Sequence, residues 1–200
     1  MEKIIDYKLS DFLRIEDSDI IESHMFILTA LEPLKEIDNP KYSRWNRQPK
    51  KLSVKTVRDL KFFEVTNLRT SIGTGNIEDI FDCIKMVTDL KEKHILKMRI
   101  TQFYGVIASI REQLIEIGNI ESAYLISENQ DPNLVAVQAQ ERMSQFGQLN
   151  VINSLANDDI LKWEKVEQLP YNSVFSKLLM DKIKNDISFE INERMKTKQK

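Results

Sequence analysis

Apolar positions recur at helical spacing through most of this chain, and the spacing predicts a series of helices. Asn76 stands where a helix cap belongs, and Ile77, Ile80, Phe81, Ile84 and Val87 then share one face. From Thr101 onward Phe103, Val106, Ile107, Ile110, Leu114 and Ile117 form a narrow stripe, with Gly118-Asn119 as a C-terminal signal. Asp131-Pro132 opens a further helix whose buried side is read as Val135, Ala139, Met143 and Phe146, closed by Gly147. Shorter helices are expected around Leu149–Ala156 and Asp159–Gln168, the second capped by Asp159.

The last helix is expected after Pro170, with Asn172 as cap. Its apolar face does not stay in one place. Val174, Phe175, Leu178 and Leu179 cluster on one side, whereas Ile183, Ile187, Ile191 and Met195 step by four and drift about 40° per step. The second half therefore faces away from the first. A bend or a partner chain would account for it, and Ile183, Ile187 and Ile191 are candidate contact residues.

The first 70 residues read differently. Ile4, Ile5, Tyr7 and Leu9 partly alternate, which suits a short strand or an extended arm. A helix is expected after Asp19, with Glu22 three residues on and Ile20, Ile27, Leu28 and Leu31 on one face, ending near Pro33. A second is expected from Ser53, with Val54, Val57, Val65 and Leu68 aligned but interrupted by Lys61. Ser71-Ile72-Gly73-Thr74-Gly75 is a break.

Composition agrees with helices: the 200 residues include only five Gly and five Pro. That argues against a turn-rich sandwich or barrel. The expected fold class is all-α: an irregular multi-helix bundle with an extended, basic N-terminal arm region. The expected division is an arm region over 1–70, holding one or two helices and a basic loop at 40–61, and a helical body over 71–200 that ends in a long helix.

Net charge is −2 overall, yet charge is segregated. Residues 1–39 hold ten acidic and four basic side chains, and residues 40–61 hold eight basic and one acidic. Tyr42 and Trp45 interleave with Lys41, Arg44, Arg47, Lys50 and Lys51, in a stretch with no apolar period. Cations of this kind contact phosphates while an aromatic stacks on a base. The same residue types also anchor protein interfaces. The third reading is a solvated loop that balances the acidic segment before it. The candidate partner-binding residues are Tyr42, Arg44, Trp45, Arg47, Lys50 and Lys51, together with the three isoleucines.

Enzyme chemistry finds little support. The chain has no phosphate-loop, zinc-protease, paired-cysteine or nucleophile-elbow motif. Gly73-Thr74-Gly75-Asn76 lacks the third glycine and the lysine of a phosphate cradle, and reads as a link capped by Asn76. His24 reads as a satisfied or partner-facing histidine, His94 as a solvated one, and Cys83 as a small hydrophobe. Asp158-Asp159, and Asp181 with Asp186, supply no converging oxygens for a hard cation. No catalytic residue, metal site or cofactor is expected. A single cysteine excludes an internal disulfide and fits a reducing compartment. No signal peptide is read in Met1–Ser10, and no apolar run reaches the roughly 20 residues of a membrane span.

A resemblance enters at Phe146-Gly147, Leu149-Asn150, the Asp-rich cap at 158–159 and Leu169-Pro170-Tyr171 before an apolar helix. This cadence resembles small helical morphogenesis and virion proteins of tailed bacteriophages, of the tail-assembly-chaperone or head–tail accessory kind. Residues 76–117 and the opening Leu9-Ser10-Asp11-Phe12-Leu13 are similar to the same group. The resemblance covers about the C-terminal two-thirds of the chain. It implies a non-enzymatic role in the virion or host cytoplasm, binding other phage structural proteins or a second copy of itself. The alternative expectation is a helical nucleic-acid-binding protein that uses the basic 41–58 segment.

Overall fold

The computed structural model describes residues 7–42, 45, 49–127 and 132–198. Among them are eleven α-helices and one two-stranded sheet, so the all-α expectation holds. The chain divides into two compact units, one formed by 1–57 with 67–116 and the other by 58–66 with 117–200. The segments of the two units interleave along the sequence.

In the first unit, α1 (Leu9–Phe12) follows a segment hydrogen-bonded to the turn before α6 (Ile100–Leu125). Leu9 N donates to Met98 O at 2.8 Å, and Ile100 N donates to Tyr7 O at 2.9 Å. Leu9 and Phe12 are buried. Residues 7–12 thus belong to the core of this unit, with backbone groups that find partners in the 96–100 turn. α2 (Ser18–Thr29) is capped by Asp17, whose carboxylate accepts from Asp19 N and Ile20 N. The cap therefore lies two residues before the expected Asp19, and of the expected apolar face only Leu28 is buried.

β1 (Glu36–Asp38) pairs antiparallel with β2 (Lys51–Ser53), Ile37 opposite Leu52. A helix beginning at Ser53 is thereby replaced: Val54 N donates to Lys35 O, and a 3₁₀ turn at Val57–Asp59 follows. α3 (Phe62–Ser71) starts only after Lys61, whose amide donates to the Glu64 carboxylate at 2.8 Å. α4 (Ile77–Thr88) has the Asn76 cap the sequence announces, with Phe81, Ile84 and Val87 buried. α5 (Glu92–Ile95) is a single turn leading into α6. Ile37, Val57, Leu68, Ile84, Ile95, Phe103, Val106 and Ile110 are among the core residues of this unit.

α6 runs past Gly118-Asn119 to Leu125, so the expected stop is absent. Ile117 is buried and Glu121 accepts from the Tyr171 hydroxyl at 2.7 Å, which reward continuing the helix. In the second unit α7 (Pro132–Ala136) and α8 (Ala139–Ser144) replace the single helix expected over 132–147. Gln138 between them takes a left-handed conformation at φ 53°. α9 (Leu149–Leu155), a 3₁₀ turn at Ile160–Lys162, α10 (Trp163–Glu167) and α11 (Tyr171–Lys198) complete the unit. Asp159 caps the 3₁₀ turn, accepting from Leu161 N. Lys162 beside it, then that amide, holds its carboxyl below the ordinary range.

Candidate functional site

The basic stretch connects the two paired strands β1 and β2 of a hairpin. Asn39 organises the base of that hairpin. It is buried, its Nδ2 donates to Pro49 O at 2.9 Å, and its Oδ1 accepts from Lys41 N at 2.9 Å. The amide of Asn39 donates to Lys50 O at 2.8 Å. A turn-forming Asn-Pro dipeptide thus becomes a buried clamp.

Of the residues proposed here, Tyr42 is half exposed and Lys50 Nζ lies 6.0 Å from its ring centre, a cation–π distance. Trp45 is 97% exposed. Lys51 pairs across the strands with Asp38 at 2.8 Å, and this contact holds the Asp38 carboxyl below its ordinary range. Part of the expected positive charge is therefore neutralised. Arg44 and Arg47 lie outside the described residues, as do Ile4 and Ile5.

A second basic element was not legible in the sequence. Lys41 Nζ donates to the carbonyl of Asp89 at 3.3 Å, and Lys55 Nζ reaches Asp89 Oδ1 at 2.7 Å. Asp89 is the left-handed C-cap of α4. This anchors the hairpin next to the lysine-rich turn that follows. His94 in that turn feels the charges of Lys41, Lys93, Lys97 and Lys91. Burial first, and these cations second, hold its pKa below the ordinary value. His94 is half-buried, not freely solvated, and its buried Nδ1 has no hydrogen-bond partner among the described residues. Lys41 of the hairpin thus joins Lys91, Lys93 and Lys97 in one cationic group around His94, brought together over some fifty residues of sequence.

The isoleucines of α11 stand where the drifting stripe placed them. Ile183, Ile187 and Ile191 are 48, 52 and 51% exposed, with Met180 and Met195 in the same state. Tyr171 and Val174 are buried on the other side. That side continues with the Lys182–Asp186 ion pair at 2.6 Å, and Asp186 also accepts from Ser127 Oγ. The buried side expected for 132–147 is exposed instead: Val135, Met143 and Phe146 are each about half accessible. With α7 and α8 separated at Gln138, Leu134, Val135 and Met143 line a groove of about 1000 Å³ with Leu125 and Ile126. A smaller hollow of about 320 Å³ in the first unit lies between Leu28, Pro33, Tyr104 and Arg111.

Catalytic and metal chemistry gain nothing from the geometry. Among the described residues no group of three or more His, Cys, Asp or Glu is placed to hold a metal ion. Cys83 is fully buried and its thiol is pushed up to about 11, by burial first and then by Asp79 and Asp82. His24 bonds within its own helix, to Ile20 O and Ser23 Oγ. Thr74 in the Gly73–Gly75 link bonds Ser71 O and the Asp79 carboxylate, an ordinary turn leading into α4. Asp158 is bonded by Asn153 Nδ2, and Asp181 pairs with Lys177. No described helix is long and apolar enough to cross a membrane. Comparison with protein-family models, curated proteins and solved structures found no match.

Proposed function

We propose that this chain is a non-enzymatic assembly protein of a tailed bacteriophage. It works in the virion or host cytoplasm by binding other head or tail proteins. The observation that carries the binding role is an imbalance among the described residues of the second unit: sixteen large apolar side chains are exposed, against nine buried apolar residues. Single exposed apolar residues are ordinary, but contiguous ones on grooves and helix faces mark interaction sites. The phage assignment rests on the cadence of residues 76–117 and 145–187. Burying Leu134, Val135, Met143 and Phe146 under a partner would supply the core this unit lacks.

The test is twofold. Mass spectrometry of purified particles decides whether the protein is packaged or acts only during assembly. Co-purification of the full chain with each head and tail protein decides whether it binds them. Absence from particles together with failure to bind any of those proteins overturns the reading.

A second reading is binding of nucleic acid, favoured by the group of Lys41, Lys91, Lys93 and Lys97 around His94 and by the exposure of Trp45. Such binding would weaken steeply with salt, and each phosphate contact removed would lower the log–log slope by about one. No mobility shift of DNA or RNA at low salt discards it.

A further inference from the structure

We infer that the hollow between α2 and α6 in the first unit is a binding site for a small amphipathic ligand, a medium-chain aliphatic monocarboxylate. This site goes beyond the assembly reading above and does not depend on it.

Its walls follow from helix geometry. Tyr104, Ala108, Arg111 and Ile115 recur at i, i+4, i+7 and i+11, so they share one face of α6, with Ile107 beside them. Across from that face, the end of α2 and the segment after it supply Leu28, Leu31 and Pro33. The Leu34 amide donates to the Gly105 carbonyl at 3.1 Å, which fixes this segment against the helix. The two sides bound a hollow of about 320 Å³. Small-molecule sites start at about 300 Å³ and combine apolar walls with a few converging polar groups. A cavity of about 150 Å³ takes a benzene ring, so this one suits roughly a dozen non-hydrogen atoms.

Two polar groups of α6 reach the hollow, and both are donors. Helix side chains tilt toward the N-terminus, so Arg111 leans over the Ile107–Ala108 turn toward Tyr104. Among the described residues Arg111 has no hydrogen-bond acceptor and no ion-pair partner. The Tyr104 hydroxyl donates to Met25 Sδ at 3.2 Å, and a thioether is a weak acceptor. Burial holds this hydroxyl above its ordinary pKa, against the opposing charge of Arg111, so it remains a donor through neutral pH. A carboxylate supplies the acceptor that both groups lack. It takes a bidentate pair from Arg111, and replaces sulfur at Tyr104. The aliphatic tail then lies against Leu28, Leu31 and Ile107. Glu112 also lines the hollow and opposes a second negative charge, so a monoanion fits better than phosphate.

The test uses the full chain and decanoate, which is of the required size, in isothermal titration calorimetry below the micelle concentration. Circular dichroism checks the fold of each variant. Decanoate is expected to bind saturably, one per chain. Decanol has the same tail without the charge and is expected to bind about tenfold more weakly. Inorganic phosphate is expected not to compete. Arg111→Gln is expected to weaken decanoate about tenfold or more and to leave decanol unchanged. Tyr104→Phe is expected to weaken decanoate about fivefold. Ala108→Leu fills the hollow and is expected to abolish binding of both.

Absence of saturable decanoate binding overturns the site. So does decanol that binds as tightly as decanoate, or decanoate affinity that survives both Arg111→Gln and Ala108→Leu. If Ala108→Leu fails to fold, Arg111→Gln decides, because that side chain is exposed. A leucine-terminated peptide that binds here where decanoate does not would make the hollow a protein-docking site and overturn the small-ligand assignment. Loss of decanoate binding leaves co-purification with head and tail proteins unaffected, and failure of that co-purification leaves decanoate binding standing.

Discussion

Leu34 packs directly onto Gly105: a methyl group at position 105 would lie 2.5 Å from Leu34 Cδ1 and 2.6 Å from its Cγ. The Leu34 amide also donates to the Gly105 carbonyl at 3.1 Å. Glycine in the middle of α6 normally weakens a helix, and here it lets the segment before the hairpin lie on the helix surface. Gly105→Ala should therefore destabilise the protein by about 1–3 kcal/mol, despite alanine's better helix propensity. Urea denaturation measures it. Leu34→Ala combined with Gly105→Ala should recover part of the loss, since neighbouring substitutions are not additive.

Removing the clamp at the hairpin base should loosen the basic loop. Asn39→Ala leaves the carbonyl of Pro49 without its donor and costs about 1–3 kcal/mol. Hydrogen exchange should quicken at the Asn39 amide, which pairs with Lys50 O, while the amides of α4 stay protected. Equal loss of protection in both places would contradict this.

Cys83 should shape the alkaline limb of stability. Its folded thiol titrates at about 11, against an ordinary 9.0. Between those values the unfolded chain has released its proton while the folded chain holds it. Stability is whole below the lower value and falls as pH rises through the window. Cys83→Ala should flatten that fall. A thiol reagent at neutral pH should label the wild type only as fast as the fold opens.

His94 acts with the opposite sign at the acid end. Its folded pKa lies below the ordinary 6.5, chiefly from burial, so the unfolded chain takes up the proton first as pH falls. Stability is therefore present above about 6.5 and declines beneath it. An NMR titration of the His94 ring should find a midpoint under 6.5. Lys41→Ala should raise that midpoint partway, because burial is the larger cause. An unchanged midpoint would separate the hairpin from the 91–97 turn.

Local rules in the sequence carried some elements and not others. α4 was legible because its period and its Asn76 cap agree, and the turn at 160 because Asp159 has the right chemistry. α11 was legible to the level of its drifting stripe. The three-residue strands were not, since so few residues show no period and depend on pairing across the hairpin. The break at Gln138 was missed because a non-glycine residue there adopts a positive φ that composition does not signal. Gly118 misled in the other direction: burial of Ile117 and the Tyr171–Glu121 bond outweigh a weak stop. The cationic group around His94 was hidden for a different reason, as it joins Lys41 to residues fifty positions later through Asp89.

The interleaving of the two units governs how the nascent chain must mature. Leu60, Phe62 and Val65 leave the ribosome early, yet belong with residues beyond 117 that are made much later. Until α9, α10 and the start of α11 emerge, this greasy cluster has no permanent cover. Chaperone demand during synthesis should peak in that interval, and a ribosome stalled near residue 116 should expose the cluster to proteases.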